Sequence, residues 1–293
     1  MEIIRTVSWM KHAARQARAA NHIIGVVPTM GALHEGHLSL IRRAKQECSR
    51  VFVSIFVNPT QFGANEDLGK YPRTWDADLA KLEADGVDVV FAPDAKEIYP
   101  AGFSSYVTVE GLSNRLEGKS RPGHFRGVAT VVLKLFEIVQ PHHAFFGRKD
   151  AQQAAVLEQM VRDLNLDAEI VVCPLVREAD GLALSSRNVY LSTEERKAAL
   201  VLSRSLREIQ AAIAGGERDV VGLQQKLLRI LSAEKLAGVD YATIVDAETF
   251  EPVTSIGART AYVLLAVFIG QTRLIDNLLI EPGSKPGELI CSL

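Results

Sequence analysis

Two histidines, His34 and His37, lie between a hydrophobic run and a helical pattern. The run from Ile23 to Val27 predicts a buried strand, and the apolar residues after His37 recur at helical spacing. Pro28 and Gly31 indicate a turn between the two elements. Such a junction offers backbone N–H groups and the positive end of a helix dipole to an anion. Because each imidazole can also donate a hydrogen bond to a phosphate oxygen, the pattern favours a phosphate site over two ordinary loop histidines.

Two amide side chains, Asn58 and Gln61, follow the next hydrophobic run, Val51–Val57. Uncharged amides suit the hydroxyl or carboxylate groups of a small substrate. Taken alone, the neighbouring Pro59 and Gly63 favour a simple polar turn.

A third cluster, Gly147–Gln153, follows a short predicted strand that ends at Phe146. Lys149 offers a positive charge for a phosphate. Asp150 either caps the next helix or binds a ribose or a metal. Gln153 lies one helical turn further on, so all three side chains can face the same rim.

Two more segments contain basic groups. Arg115–Gly127 either holds a carboxylate or phosphate, or faces solvent. Asp180–Asn188 contains Ser185, Ser186 and Arg187, which suit a polyphosphate. Without the other clusters it would be interpreted as an N-cap-like loop.

These clusters hold no Ser–His–Asp set, no cysteine nucleophile and no HExxH sequence. A site of this kind stabilises charge and forms no covalent bond to substrate. In a transfer at the α-phosphate of ATP, negative charge grows on the phosphoryl oxygens and on the departing pyrophosphate. Removing one fixed donor from such a site typically costs about 3–4 kcal/mol. A substrate carboxylate can then serve as the nucleophile.

Strand and helix patterns alternate over the first part of the chain. The predicted strands are Ile23–Val27, Val51–Val57, Val87–Ala92, Ala144–Phe146 and Ile170–Val176, with a short Glu2–Ile4 strand before them; the predicted helices are Val7–Ala20, His37–Cys48, Trp75–Ala84, Val128–Val139 and Asp150–Asp163. This alternation predicts an α/β fold, a Rossmann-like doubly wound parallel sheet over residues 1–176. Right-handed crossovers place the C-terminal ends of its strands, and the polar clusters, on one rim.

The pattern changes after Arg187. Two helices, Thr193–Ala214 and Asp219–Ala233, are followed by the strands Tyr241–Val245, Tyr262–Phe268 and Arg273–Ile280. They predict a smaller α+β C-terminal domain, residues 177–293, with an antiparallel sheet. The tail from Pro282 is predicted to be loose.

Composition narrows the class of protein. The chain has 293 residues, 47% hydrophobic residues and a formal net charge of −2. A globular enzyme fits these values, and no basic surplus indicates a nucleic-acid partner. Three scattered cysteines favour reduced thiols. The longest hydrophobic run, Ala261–Ile269, is too short to span a bilayer, and no signal-like core opens the chain. We therefore expect a cytoplasmic protein without membrane contact.

Several strings together resemble the pantothenate synthetase (pantoate–β-alanine ligase) family of the HxGH nucleotidyltransferase superfamily. They are Val27–Gly31 with His34–His37, Ser54–Pro59 with Gln61 and Phe62, Tyr71–Thr74, Phe91–Pro93 with Glu97–Pro100, Ser120–Gly127, Phe146 and Gly147 with Lys149, Asp150, Gln152 and Gln153, Asp180–Asn188, and Arg273–Asn277. They follow the family order over nearly the whole chain. Arg148 departs from the acidic or amide residue that is more usual there.

The resemblance implies a two-step reaction that uses ATP and Mg²⁺. Pantoate attacks the α-phosphate to give pantoyl adenylate and pyrophosphate, and β-alanine then displaces AMP to give pantothenate, a precursor of coenzyme A. The implied ATP-binding residues are Met30, Gly31, Ala32, Leu33, His34, Glu35, Gly36, His37, Gly147, Arg148, Lys149, Asp150, Val176, Leu184, Ser185, Ser186 and Arg187. His37 is implied as proton donor, and His34, Lys149, Ser185, Ser186 and Arg187 as the other catalytic groups. Gln61, Gln153 and Asn58 would bind pantoate, and Gln61 would also bind β-alanine. The metal ligands stay unknown. A homodimer is implied, with the second domain lying over the cleft.

An acyl adenylate hydrolyses when water reaches it, so the site needs a cover. Segment 62–74, with Gly63, Gly69 and Pro72, is therefore predicted to be mobile and to order over bound ligand.

Other functions stay open at this point. The same histidine turn occurs in nucleotidyltransferases that adenylate a phosphate ester, although such an acceptor should need more cations than Asn58, Gln61 and Gln153 supply. It also occurs in class I aminoacyl-tRNA synthetases, which should have a tRNA-binding surface. A nucleotide sensor would bind ATP and release no AMP.

Overall fold

The chain folds into two compact units, Met1–Pro174 and Leu175–Leu293. The computed structural model describes residues 1–63, 66–285 and 287–293. The predicted boundary, after residue 176, lies two residues from this division. Each unit has its own cluster of buried hydrophobic side chains.

The first unit alternates strands and helices as predicted. Its strands are β1 (Glu2–Ile4), β2 (Ile24–Thr29), β3 (Arg50–Ile55), β4 (Val89–Phe91), β5 (His143–Gly147) and β6 (Glu169–Cys173). Its helices are α1 (Val7–Ala19), α2 (Glu35–Glu47), α3 (Trp75–Ala84), α4 (Ala95–Ile98), α5 (Glu117–Ser120), α6 (His124–Val139) and α7 (Ala151–Asp163).

In the described residues these strands form one six-stranded sheet in the order β1-β4-β3-β2-β5-β6, and every pair is parallel. The predicted Rossmann-like sheet is therefore confirmed. From β2 the chain proceeds outward through β3 and β4, and it then returns to place β5 on the other side of β2. The order reverses between β2 and β5, and ligands bind at such a switch point in open α/β sheets.

The second unit consists of helices followed by an antiparallel sheet. Its helices are α8 (Thr193–Ala198), α9 (Leu200–Ala214) and α10 (Val220–Ser232), and its strands are β7 (Ala237–Asp246), β8 (Ala261–Ile269), β9 (Thr272–Pro282) and β10 (Leu289–Ser292). The sheet order is β10-β9-β8-β7. No helix in the described part of the chain is long and apolar enough to cross a membrane.

Two predictions for this unit were wrong. The tail was expected to be loose, but β10 pairs with β9 from Leu289 opposite Pro282 to Ser292 opposite Leu279. Part of this strand packs against the buried cluster of the unit, which stabilises the pairing. The single helix predicted from 193 to 214 is divided at Ala199 into α8 and α9.

Helix α6 begins at His124, four residues before the predicted start. Its first turn packs tightly against the turn that follows β3. A Cβ atom on Gly127 would lie 2.3 Å from the carbonyl oxygen of Thr60, so only glycine permits this approach. The amide of Asn58 also donates to the Gly127 carbonyl at 3.1 Å. The 58–61 turn is thus fixed to the N-terminus of α6.

His124 adds a second link between α6 and this turn. Its Nδ1 lies 2.9 Å from the Gln61 carbonyl oxygen, which can only accept, so Nδ1 carries the hydrogen. Its Nε2 lies 3.0 Å from the guanidinium of Arg121, which can only donate. Arg121 also makes a two-pronged ion pair with Glu66, at 2.8 and 2.7 Å. This arrangement requires a neutral imidazole. The basic 115–127 segment was predicted either to bind an anion or to face solvent; Arg121 and His124 instead bind internal partners.

Burial, followed by the nearby charge of Arg121, lowers the pKa of His124 to about 4. Since the unfolded value is near 6.5, only the unfolded chain binds this proton between pH 6.5 and 4. The contribution of His124 to stability is therefore complete above pH 6.5 and is lost as the pH falls toward 4.

We expect His124→Asn to weaken this acid sensitivity, because the Asn amide can still donate to the Gln61 carbonyl and does not titrate. Between pH 6.5 and 4.5, the slope of the free energy of unfolding against pH should be smaller in the variant than in wild type by about 1.4 kcal/mol per pH unit. Chemical denaturation at several pH values measures this slope. His12→Asn, at an exposed histidine, serves as the control and should keep the wild-type slope. Equal slopes for all three proteins would contradict the assignment.

Candidate functional site

The two histidines lie where β2 passes into α2. Gly31 and Ala32 both adopt positive φ angles, +80° and +51°, and reverse the chain before the helix. His34 is the N-cap residue of α2, and its imidazole centroid lies 4.1 Å from that of His37. The His34 backbone N–H donates to Nδ1 of His37 at 3.3 Å. The neutral His37 ring therefore carries its hydrogen on Nε2, where it can be donated to a ligand.

His37 lies in a positive electrostatic environment. Its pKa is lowered to about 3 by burial and by the nearby His34, Lys149 and Lys81. His37 is therefore neutral at physiological pH, and its ring donates a hydrogen bond as an uncharged imidazole. The same charges that disfavour the imidazolium favour a phosphate at this position.

Lys149 enters the same region from the neighbouring strand. It lies in a short 3-10 turn, Arg148–Asp150, directly after β5, and its Nζ is 3.6 Å from Asp150 Oδ1. Asp150 holds the N-cap position of α7 without a side-chain capping bond in the described residues. The Arg148 side chain is 8% exposed, so a contact through its main chain fits the geometry better than one through its guanidinium.

Two adjacent glutamines in α7 differ in their surroundings. Gln153 is half-buried, and its role in binding pantoate stays a prediction. Gln152 is buried, its Nε2 donates to the Leu112 and Arg115 carbonyls at 2.8 Å, and its Oε1 accepts from the Glu117 N–H at 3.0 Å. Gln152 therefore holds the 112–117 segment against α7. The sequence string gave no signal to separate the two roles.

The 58–61 turn places an amide beside the histidine loop. Gln61 Nε2 lies 3.1 Å from the sulfur of Met30. Asn58 is 1% exposed; its carbonyl oxygen accepts from Tyr99 and Thr60, and its amide nitrogen donates to Gln61 Oε1 at 3.1 Å. Because both ends of the Asn58 amide have protein partners, the geometry favours orientation of Gln61 by Asn58 over direct substrate contact.

The second unit contains the predicted serine-rich phosphate segment. Ser185 precedes a 3-10 turn, Ser186–Tyr190, and its Oγ accepts from the Arg187 N–H at 3.2 Å. Leu184 donates its N–H to the Val176 carbonyl at 3.0 Å, which pairs two predicted ATP contacts in one hairpin. Ser185 thus acts as a local cap, and a phosphate role for this segment stays a prediction.

Ion pairs within the second unit anchor this hairpin. Arg177 makes two bonds of 2.8 Å to Asp276 of β9, whose side chain is fully buried. Arg196 of α8 binds Glu178 at 2.7 Å and Asp180 at 2.8 Å. Sequence analysis did not identify these residues as partners, because their pairing depends on tertiary structure.

Within the first unit, the structure brings His34, His37 and Lys149 together and places Gln61 beside Met30. The second unit contains Val176, Leu184, Ser185, Ser186 and Arg187. That these residues join His34, His37 and Lys149 in one ATP site stays a prediction.

The predicted cover, segment 62–74, includes Ala64 and Asn65, which lie outside the described residues. In its described part, Asp67–Gly69 forms a 3-10 turn and Tyr71 is buried, with its ring edge-on to Phe62 at 6.0 Å. Its ordering over a ligand stays a prediction. Among the described residues, no cluster of three or more His, Cys, Asp or Glu side chains forms a metal site.

Known proteins resemble the chain over most of its length. The family model "Pantoate-beta-alanine ligase" matches residues 2–279. Pantothenate synthetase of Acetivibrio thermocellus is 54% identical over 281 residues, covering 96% of this chain and 100% of its own. The Acidobacterium capsulatum protein of the same name is 60% identical over 257 residues, covering 88% and 86%.

Solved structures match in the same way. Pantothenate synthetase from Thermus thermophilus has a TM-score of 0.89 at 46% identity, covering 94% of this chain and 98% of its own. Pantoate–β-alanine ligase from Francisella tularensis, complexed with beta-gamma ATP and β-alanine, has a TM-score of 0.77 at 37% identity, covering 94% and 97%. Sequence and fold therefore both match this family, and the chain belongs to the pantoate–β-alanine ligase family, enzymes of pantothenate biosynthesis.

Proposed function

We propose that this enzyme condenses (R)-pantoate with β-alanine in an ATP-dependent reaction that passes through pantoyl adenylate. The observation that carries the proposal is the position of the Gln61 amide beside Met30, on the loop that leads to His34 and His37. This position brings a neutral binding group for pantoate next to a cationic site for phosphate. Family membership, together with the ATP and β-alanine in the Francisella complex, supports ATP and β-alanine as substrates.

In the first step, a pantoate carboxylate oxygen attacks the α-phosphorus of ATP. A new P–O bond forms, the bond to the bridging oxygen breaks, and pyrophosphate leaves with its electron pair. Negative charge grows on the equatorial and leaving oxygens. His37 donates Nε2–H and Lys149 supplies a positive charge where this charge develops. Since the pKa of His37 is lowered to about 3, a neutral ring is available over the working pH range.

In the second step, the β-alanine amine attacks the acyl carbon of pantoyl adenylate. An amide bond forms, the acyl C–O bond breaks, AMP leaves with the oxygen, and the amine loses a proton. Gln61 is proposed to orient both pantoate and β-alanine. Gln153 contributes to pantoate binding, and Asn58 acts mainly by holding Gln61.

The remaining contacts are proposed from the family resemblance together with local geometry. Segment 30–37, segment 147–150, Val176 and segment 184–187 contact ATP, with His34, Ser185, Ser186 and Arg187 on its phosphates. ATP is proposed to enter as its Mg²⁺ complex. Mg²⁺ commonly binds through substrate phosphates and only one or two protein carboxylates, and the half-exposed Asp150 carboxylate beside Lys149 could be one of them. We also propose a homodimer located in the cytoplasm; both rest on the resemblance.

A product assay tests the proposal directly. With ATP, pantoate and Mg²⁺ but no β-alanine, the enzyme should release one pyrophosphate per active site in a burst while AMP stays bound as adenylate. Addition of β-alanine should release AMP and pantothenate in equal amounts. Pyrophosphate release that requires β-alanine would argue against the adenylate. Pyrophosphate release with a phosphate ester in place of pantoate would instead indicate a nucleotidyltransferase that adenylates a phosphate ester.

We expect Lys149→Ala and His37→Ala to slow the pyrophosphate burst by about 100-fold or more, since each removes a donor from the growing charge. The midpoint of thermal unfolding should change little, because neither side chain is part of a hydrophobic cluster. Lys96→Ala, at an exposed lysine of the same unit, is the control and should match wild type. Loss of folding in either site variant would indicate a structural role instead.

A further inference from the structure

Helix α3 binds the backbone of the histidine loop through a buried carboxylate. Asp78 is 1% exposed, although aspartate is seldom fully buried. Its Oδ2 accepts from the Ala32 N–H at 2.9 Å, and its Oδ1 accepts from the Leu33 N–H at 2.8 Å. Both carboxylate oxygens are therefore engaged by two successive N–H groups, 45 residues or more away in sequence.

Lys81 completes the contact from the next turn of the same helix. Its ammonium donates to the Leu33 carbonyl oxygen. Residues three apart share a helix face, so Asp78 and Lys81 approach the loop together. Three charge-assisted hydrogen bonds thus hold three consecutive peptide units, from residue 31 to residue 34, and such bonds are stronger than neutral ones.

The loop needs this support because its backbone is unusual. Gly31 and Ala32 both have positive φ angles, and alanine is disfavoured there. Successive N–H groups in such a turn form a concavity that attracts anions. The sequence suggested that these groups would meet a phosphate. The structure instead fills the concavity with the protein's own carboxylate, which accepts from the Ala32 and Leu33 N–H groups.

We propose that Asp78 and Lys81 are positioning residues, which fix the 30–33 loop so that His34 and His37 are aimed at the nucleotide phosphates before ATP arrives. This inference rests on the proposed function of that loop. Leu33 directly precedes His34, so any shift of its peptide moves both imidazoles. A displacement of about 1 Å at a catalytic group can cost a factor of about 100 in rate.

Asp78→Asn is the first test. The Asn side chain keeps the shape of Asp but presents an NH₂ group to one of the two loop N–H groups. We expect the pyrophosphate burst with ATP and pantoate to slow by about 10- to 100-fold, with a much smaller change in the KM for ATP. Asp76→Asn makes the same change at an exposed position of α3 and is the matched control; it should behave as wild type.

A double mutant separates positioning from general damage. If Asp78 acts through His37, then Asp78→Asn combined with His37→Ala should be no more than about twofold slower than His37→Ala alone. Multiplied effects would overturn the proposal, as would a wild-type burst rate in Asp78→Asn. Should Asp78→Asn fail to fold, Lys81→Met keeps the carboxylate and removes one bond. It should slow the burst in the same direction, and an unchanged rate would overturn the proposal.

Hydrogen exchange tests, without relying on activity, whether Asp78 and Lys81 hold residues 32 and 33; this contact is called the clamp below. The Ala32 and Leu33 amides should be protected in wild type and Asp76→Asn, and should exchange at least about tenfold faster in Asp78→Asn. Unchanged protection would refute the clamp whatever the enzyme does. If wild type releases no pyrophosphate from ATP and pantoate, the proposed function fails, while faster exchange in Asp78→Asn would still support the clamp on the loop.

Discussion

In the proposed reaction, the repulsion between a triphosphate and an attacking carboxylate is the constraint on which the site depends. Both anions must meet, so the protein has to supply positive potential at one point and neutral binding groups beside it. The doubly wound sheet provides that point, because the loops after β2 and β5 become neighbours where the strand order reverses. Burial lowers the pKa of His37, and the nearby His34, Lys149 and Lys81 lower it further because they make the potential at this point more positive. A field that disfavours an imidazolium also stabilises a phosphate, and it needs no reorganisation when the charge develops.

Hydrogen bonds between protein groups hold the loops of each unit in place. Asp78 and Lys81 hold the peptides before His34, and Asn58 fixes Gln61. In the second unit the buried Arg177–Asp276 pair holds the hairpin of the serine segment. Each of these polar groups is engaged by hydrogen bonds in a partly or fully buried setting, where an unpaired partner would be costly. Their common effect is to limit the conformations of short loops that would otherwise be free to move. In the proposed reaction, loops that are already held in place leave more of the binding energy of ATP for stabilising the transition state.

The predictions that succeeded depended on local pattern. Alternating hydrophobic runs predicted the parallel sheet, and turn residues located the histidine loop at a strand end. The failures arose where tertiary packing decides. Nothing local distinguishes Gln152, which holds a loop, from Gln153, and nothing in α3 marks Asp78 as the partner of a loop 45 residues away. The same applies to β10. The polar, glycine-containing residues before it predict a loose tail, and only the tertiary structure shows that β10 pairs with the edge of β9. Arg121 was assigned to an anion or to solvent because its partner, Glu66, is distant in sequence.

Isotope transfer offers the most direct test of the central claim, that the substrate carboxylate attacks the α-phosphorus at this site. Pantoate labelled with ¹⁸O in both carboxylate oxygens would be turned over with unlabelled ATP and β-alanine, and the AMP analysed by mass spectrometry. The account predicts one ¹⁸O atom in each AMP, because the bridging oxygen of the adenylate stays with phosphorus when the amine attacks the acyl carbon. AMP without the label would contradict it.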